Sequence, residues 1–250
     1  MLLMLFVRPE RAYDLERPEN LDILPDTPIN TFIDNFGNRC ARVLAPAGRV
    51  RFFVDNVCRD SGRPEDAGFG AIQHNVNDLP IEVLPFLLAS RYCEVERLSA
   101  LAWDMFGAIP PGWPRVQAVC DWVHNNVEFG YAHARATKTA WDVYGERKGV
   151  CRDFMHLSIT FLRALHIPCR YVTGYLGDIG VPPVDMPMDF SAWFEVYLGG
   201  RWWSLDARHN MPRIGRVLMA CGRDAVDVAL TTSFGQHTLE KFTVWTDELK

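Results

Sequence analysis

Residues 190–206 hold the pattern that most limits how this chain can fold. Ala192-Trp193-Phe194-Glu195-Val196-Tyr197-Leu198 and Arg201-Trp202-Trp203-Ser204-Leu205 are rich in aromatic and β-branched residues, and Gly199-Gly200 separates them. A Gly-Gly pair supplies the positive φ of a two-residue hairpin turn. Symmetric pairing about that turn sets positions summing to 399 opposite one another, so Trp193 faces Asp206 and Ser191 faces Arg208. Opposite residues project to one face and side chains alternate along each strand. Ser191, Trp193, Glu195 and Asp206 therefore share a face, with Ser191 diagonal to Asp206.

Upstream, Phe154, Leu157, Phe161, Leu162 and Leu165 recur at three- and four-residue spacing, which predicts a helix with one buried face, ended by Pro168. Cys151 then falls in or just before the first helical turn. Unpaired N–H groups and the positive dipole end favour an anion there, so the thiol is expected to ionise readily, and the thiolate is the nucleophile. Taken alone, Cys151 reads better as a small buried hydrophobe at a helix start, and it is the surrounding pattern that reverses this.

The Gly149-Val150-Cys151-Arg152-Asp153-Phe154 element, the Ser191-Ala192-Trp193-Phe194-Glu195-Val196 strand and the Trp202-to-Asp206 ending occur in order. Together they resemble the transglutaminase-like superfamily, whose core carries Cys, then His in a HAW-type strand, then Asp at the end of the next strand. Residues 110–250 carry the resemblance most strongly. Cys169-Arg170-Tyr171-Val172-Thr173-Gly174-Tyr175 matches the family's R-x-V-x-G-Y strand. Carried over residue by residue, Cys151 is the nucleophile, Asp206 the orienting carboxylate, and Ser191 stands where the family places its His. In the family triad imidazole takes the thiol proton and the carboxylate fixes its tautomer. A hydroxyl is a poor base near neutral pH, although Ser191 is expected to keep a hydrogen bond to Asp206. The family's narrow active-site channels make Trp193 the candidate substrate-contacting aromatic.

Other histidines are weaker replacements. Continued strand alternation sends His209 to the opposite face unless the strand ends or bulges first. His156 lies five residues past Cys151, about 140° around a helix, and reads as a packing residue. His166 at the helix's C-terminal end suits the dipole.

Composition bounds the remainder. A chain of 250 residues that is 48% apolar builds an ample core, and a net charge of −5 with no basic run argues against a nucleic-acid footprint. No stretch is long enough to span a membrane, and Met1–Val7 reads as a strand of the mature protein rather than a leader. Seven cysteines without a CxxC pair argue against a disulfide framework and a zinc site, and point to a reducing cytoplasm. No metal or organic cofactor is implied, and oligomeric state is not readable.

The expected fold is α+β: a papain-like transglutaminase core over 81–250, with its nucleophile helix packed on an antiparallel sheet, preceded by a small β-sandwich-like domain over 1–80. In the first part, strands are expected at Leu2–Val7, Asn30–Asp34, Arg39–Leu44 and Val50–Val57. In the second, helices are expected over Glu94–Phe106 and Pro114–Val127, the Pro-rich 180–187 segment is expected as a loop, and late strands at Arg216–Ala220, Val226–Thr231 and Leu239–Thr246. Two functional classes follow. One is a cysteine acyl transferase or hydrolase acting on peptide or amide bonds through a Cys151 thioester. The other is a catalytically degenerate module that binds a peptide or protein in the remaining groove. Ser191 favours the second, and the retained Cys151 and Asp206 the first.

Overall fold

The computed structural model describes residues 1–182 and 190–249. Residues 183–187 of the expected Pro-rich loop lie outside them. The N-terminal strands are β1 (Leu2–Leu3), β2 (Asp22–Leu24), β3 (Ile29–Ile33), β4 (Arg39–Val43) and β5 (Arg51–Phe53). Helices follow at α1 (Val95–Phe106), α2 (Trp113–Asn126), α3 (Ala140–Glu146) and α4 (Cys151–Ala164), with the short parallel pair β6 (Glu128–Phe129) and β7 (Lys148–Gly149) between them. The C-terminal strands are β8 (Cys169–Tyr175), β9 (Phe190–Leu198), β10 (Arg201–Leu205), β11 (Val217–Gly222) and β12 (Thr231–Thr232).

The site is built on an antiparallel sheet ordered β10-β9-β8-β11. The hairpin register is the expected one, Arg201 opposite Leu198 through Leu205 opposite Phe194, with Gly199 at φ 59° and Gly200 at φ 86°. Gly174 of β8 pairs with Ser191 and must be glycine. A Cβ there would sit 2.0 Å from the Val217 carbonyl oxygen and 2.9 Å from the Trp193 ring.

α4 departs from its expected one-sided burial. Every residue from Asp153 to Ala164 is buried, because the helix is the centre of the core, with α1, α2 and α3 around it and β8 and β9 beneath. Its polar side chains are buried as well and find internal partners. The Ser158 and Thr160 hydroxyls donate to the carbonyls four residues back, at 2.9 and 2.7 Å. Arg163 donates to the carbonyls of Cys169, Leu88 and Arg223. His156 stacks on Tyr92 with Tyr171 tilted against it, and its Nε2 accepts the Ala225 N–H at 3.2 Å. It is a packing histidine, as its helical position implies, and burial keeps it neutral well below the usual imidazole range.

The second sheet, β12-β1-β4-β3, draws its edge strand from the far end of the chain: Thr231 and Thr232 pair with Leu3 and Leu2. A separate small core of Leu3, Phe6, Leu21, Ile23, Ala41 and Val43 packs beneath it. Several strands are shorter than expected, with β1 ending at Leu3 and β5 covering only Arg51–Phe53. Of the segments 226–231 and 239–246, only Thr231 joins a sheet, while Leu239, Phe242 and Trp245 remain exposed. Alternating apolar residues give a strand only where a sheet edge is open to receive them.

Candidate active site

Cys151 is the first residue of α4, and the turn that leads into it is set by its neighbours. Asp153 is fully buried. Its carboxylate accepts the Val150 N–H at 3.0 Å and the Arg152 guanidinium at 3.0 and 3.1 Å, while its own N–H donates to the Val150 carbonyl. That is an N-terminal cap of the kind a carboxylate at the third helical position makes. Gly149 leaves the room for it, since a Cβ there would lie 2.6 Å from the Asp153 Cβ. The Gly-Val-Cys-Arg-Asp sequence is thus the helix start that presents the thiol.

Cys151 is half-buried, its thiol lying toward the backbone of Ala192 of β9 and of Arg152 and feeling the charges of Arg208 and Asp206. Burial nevertheless pushes its pKa up, outweighing the Arg208 charge and both amides. This corrects the expectation of a ready thiolate. The helix start favours an anion only as far as solvent or charge supports it, and here the loss of water is the larger effect.

Asp206 follows the last residue of β10, and the chain turns sharply around its carboxylate. The Arg208 and His209 N–H groups donate to Oδ1 at 2.9 and 3.3 Å, and the Asn210 N–H donates to the Asp206 carbonyl at 2.7 Å. The turn brings His209 back over the carboxylate, with Nδ1 2.6 Å from Oδ2. The strand alternation that would have sent His209 to the opposite face ends at Leu205, before it can act. Arg216 reaches the same Oδ2 at 3.4 Å. Burial alone would raise the carboxyl, but the His209 hydrogen bond and the Arg216 charge overturn it and hold Asp206 at about 2.

Helix α2 holds this turn from outside. Its Asp121 accepts from the Asn210 amide at 2.8 Å, its Gln117 donates to the Asn210 side-chain oxygen at 3.1 Å, and His124 Nδ1 lies 3.2 and 3.0 Å from the Ala207 and Arg208 carbonyls.

Ser191 is buried at the start of β9, and its hydroxyl is directed to the Ala192 carbonyl at 3.4 Å rather than to Asp206. The expected Ser191–Asp206 bond is not made, because the carboxylate is committed to His209, Arg216 and two amides. Trp193 is likewise buried, with the Arg216 guanidinium 5.1 Å from its ring centre. It borders a charged cleft of about 660 Å³ on the face of the sheet away from α4, alongside Arg170, Glu195, Arg213 and Arg216. Arg208 and Arg216 carried no sequence signal, since no spacing rule ties them to Cys151 or Asp206. Among the described residues no three His, Cys, Asp or Glu side chains gather as a metal site, and no helix is long and apolar enough to cross a membrane.

Residues 100–207 match the family model of the transglutaminase-like superfamily. A crystal structure of a proposed cysteine protease from Cytophaga hutchinsonii is 32% identical, with a TM-score of 0.76 over 98% of this chain and 88% of that one. The chain belongs to the transglutaminase-like superfamily. An uncharacterised protein of Mycobacterium leprae is 30% identical over 117 residues, 46% of this chain and 42% of that protein, so the match spans about two fifths of that curated relative.

Proposed function

We propose that this protein is a cysteine acyl hydrolase or acyl transferase that works on peptide or amide bonds through a thioester at Cys151. The observation that carries the reading is a cysteine at the first position of α4, a helix packed on β9, with the buried Asp206 carboxylate directly after β10. Likeness to a proposed cysteine protease along nearly the whole chain supports a peptide or protein substrate. In the reaction, the Cys151 sulfur attacks the carbonyl carbon. The Cys151 N–H, at the first helical position with no acceptor inside the helix, faces the developing oxyanion. Collapse expels the amine, and water or a second amine then takes the acyl group. All seven cysteines are free, which suits a reducing compartment.

The binding-module reading keeps one observation in its favour, the serine at 191. Assay of the full chain against a panel of peptide amides and activated esters separates the two. Turnover is expected with the wild type and should vanish in Cys151→Ala, with an acyl adduct on Cys151 detectable by mass spectrometry. Turnover that survives Cys151→Ala would refute the nucleophile assignment. Peptide binding with neither turnover nor adduct would establish the binding module instead.

A further inference from the structure

We propose that His209 is the imidazole of this site: held through Nδ1 by Asp206, it takes the Cys151 thiol proton on Nε2, directly or across one water. The inference rests on the cysteine-nucleophile reading above and adds to it the identity of the base.

Three observations point the same way. First, the carboxylate that the superfamily uses to orient a histidine already orients one here, at 2.6 Å, and two backbone amides and Arg216 fix that carboxylate in place. An imidazole whose Nδ1–H donates to a carboxylate carries its lone pair on Nε2, the tautomer a general base needs. The His209 side chain is 17% exposed, and its Nε2 makes no hydrogen bond among the described residues.

Second, position 191 offers Asp206 nothing to orient, because the Ser191 hydroxyl is directed to the Ala192 carbonyl. Third, the turn that carries His209 packs against the start of α4: the Arg208 guanidinium lies 3.6 Å from the centre of the Phe129 ring, and Phe129 pairs with Gly149, two residues before Cys151. A thiol whose pKa burial raises stands protonated at neutral pH and requires a base to react. Moving the histidine from strand β9 to the Asp206 turn keeps the order thiol, imidazole, carboxylate while changing only the element that supplies the ring.

The step balances as follows. The Cys151 S–H proton passes to His209 Nε2 as the sulfur bonds to the carbonyl carbon and the π electrons move to oxygen. On collapse the C–N bond breaks, and the leaving amine takes the proton from His209. Neutral His209 then accepts a proton from the water that attacks the thioester and returns it to the departing sulfur. The ionisable groups around the pair are Asp206, Arg208, Arg213 and Arg216, with Glu65 on Arg216, Arg152 and Asp153 on α4, Tyr171 on β8, and Cys120, Asp121 and His124 on α2.

His209→Gln tests this, since glutamine can still donate to Asp206. The readouts are turnover and the pH profile of Cys151 alkylation by iodoacetamide, followed by mass spectrometry. In the wild type the alkylation profile should carry a second inflection, besides that of the thiol itself, that depends on residue 209. In His209→Gln that inflection should disappear and kcat should fall by about 10²- to 10⁴-fold with little change in KM. Adding Ser191→His to His209→Gln should recover part of the rate. An alkylation profile unaltered in His209→Gln, with turnover still dependent on Cys151, would overturn the proposal and leave the nucleophile reading intact. A His209-dependent profile without turnover on any substrate would support the pairing while removing the proposed activity.

Discussion

Asp206 holds four polar partners on one buried carboxylate, and that arrangement has a measurable pH signature. Its carboxyl is held at about 2 against an ordinary 3.8. The unfolded chain therefore binds a proton more readily than the native one between those values, and the stabilisation is complete above about pH 4 and lost as pH falls toward 2. The difference is worth about 2 kcal/mol at neutral pH. Asp206→Asn should be less stable than the wild type by about that amount at pH 7, and the gap should close between pH 4 and pH 2. Urea denaturation at several pH values measures it, and a gap constant down to pH 2 would show that the charge is not what stabilises. The same residue marks where strand alternation stops being informative: pairing ends at Leu205 opposite Phe194, so the condition that would free His209 from the opposite face is met, and the turn around Asp206 is not written in the alternation.

At the scale of an element, α4 begins where it does because Asp153 caps it, and ends at a left-handed His166, φ 63°, before Pro168. The cap ties thiol placement to helix stability. Asp153→Ala would strip the acceptor from the Val150 N–H and from Arg152, both at the buried start of the helix. A loss of about 1–3 kcal/mol is expected, with a smaller loss in Asp153→Asn, which can still accept from Val150. Thermal unfolding of the two variants checks the order; equal melting temperatures for Asp153→Ala and the wild type would contradict the cap. The hairpin makes the complementary case. Gly199-Gly200, the aromatic runs and the register all agree, so local chemistry alone was enough to set which side chains share a face.

For the whole molecule, burial sorts the seven cysteines into two groups. Cys151 and Cys58 are half-buried, whereas Cys40, Cys93, Cys120, Cys169 and Cys221 are closed in the interior. Native-state alkylation should therefore mark residues 58 and 151 and leave the other five unlabelled until the protein unfolds. Labelling of several interior cysteines at the rate of Cys58 would mean that the core opens readily. Burial also decided the state of the thiol itself. The helix start favours an anion, but α4 lies at the middle of the core, so the thiol is presented by a helix end yet only half open to solvent.

What the sequence determined by itself was what short-range chemistry controls: the helix that starts at Cys151, the β9–β10 register, the α+β class, and the resemblance to the superfamily in the order of its motifs. Each follows from spacing, turn residues and a motif within a few tens of residues. The tertiary structure alone decided the rest. It buried α4 on every side, seated Thr231–Thr232 against β1 across the length of the chain, set Arg216 and His209 on Asp206, and turned Ser191 away. Those outcomes depend on which surfaces meet after the chain has folded, and on the cost of leaving a buried charge unpaired, neither of which a residue's sequence neighbours record.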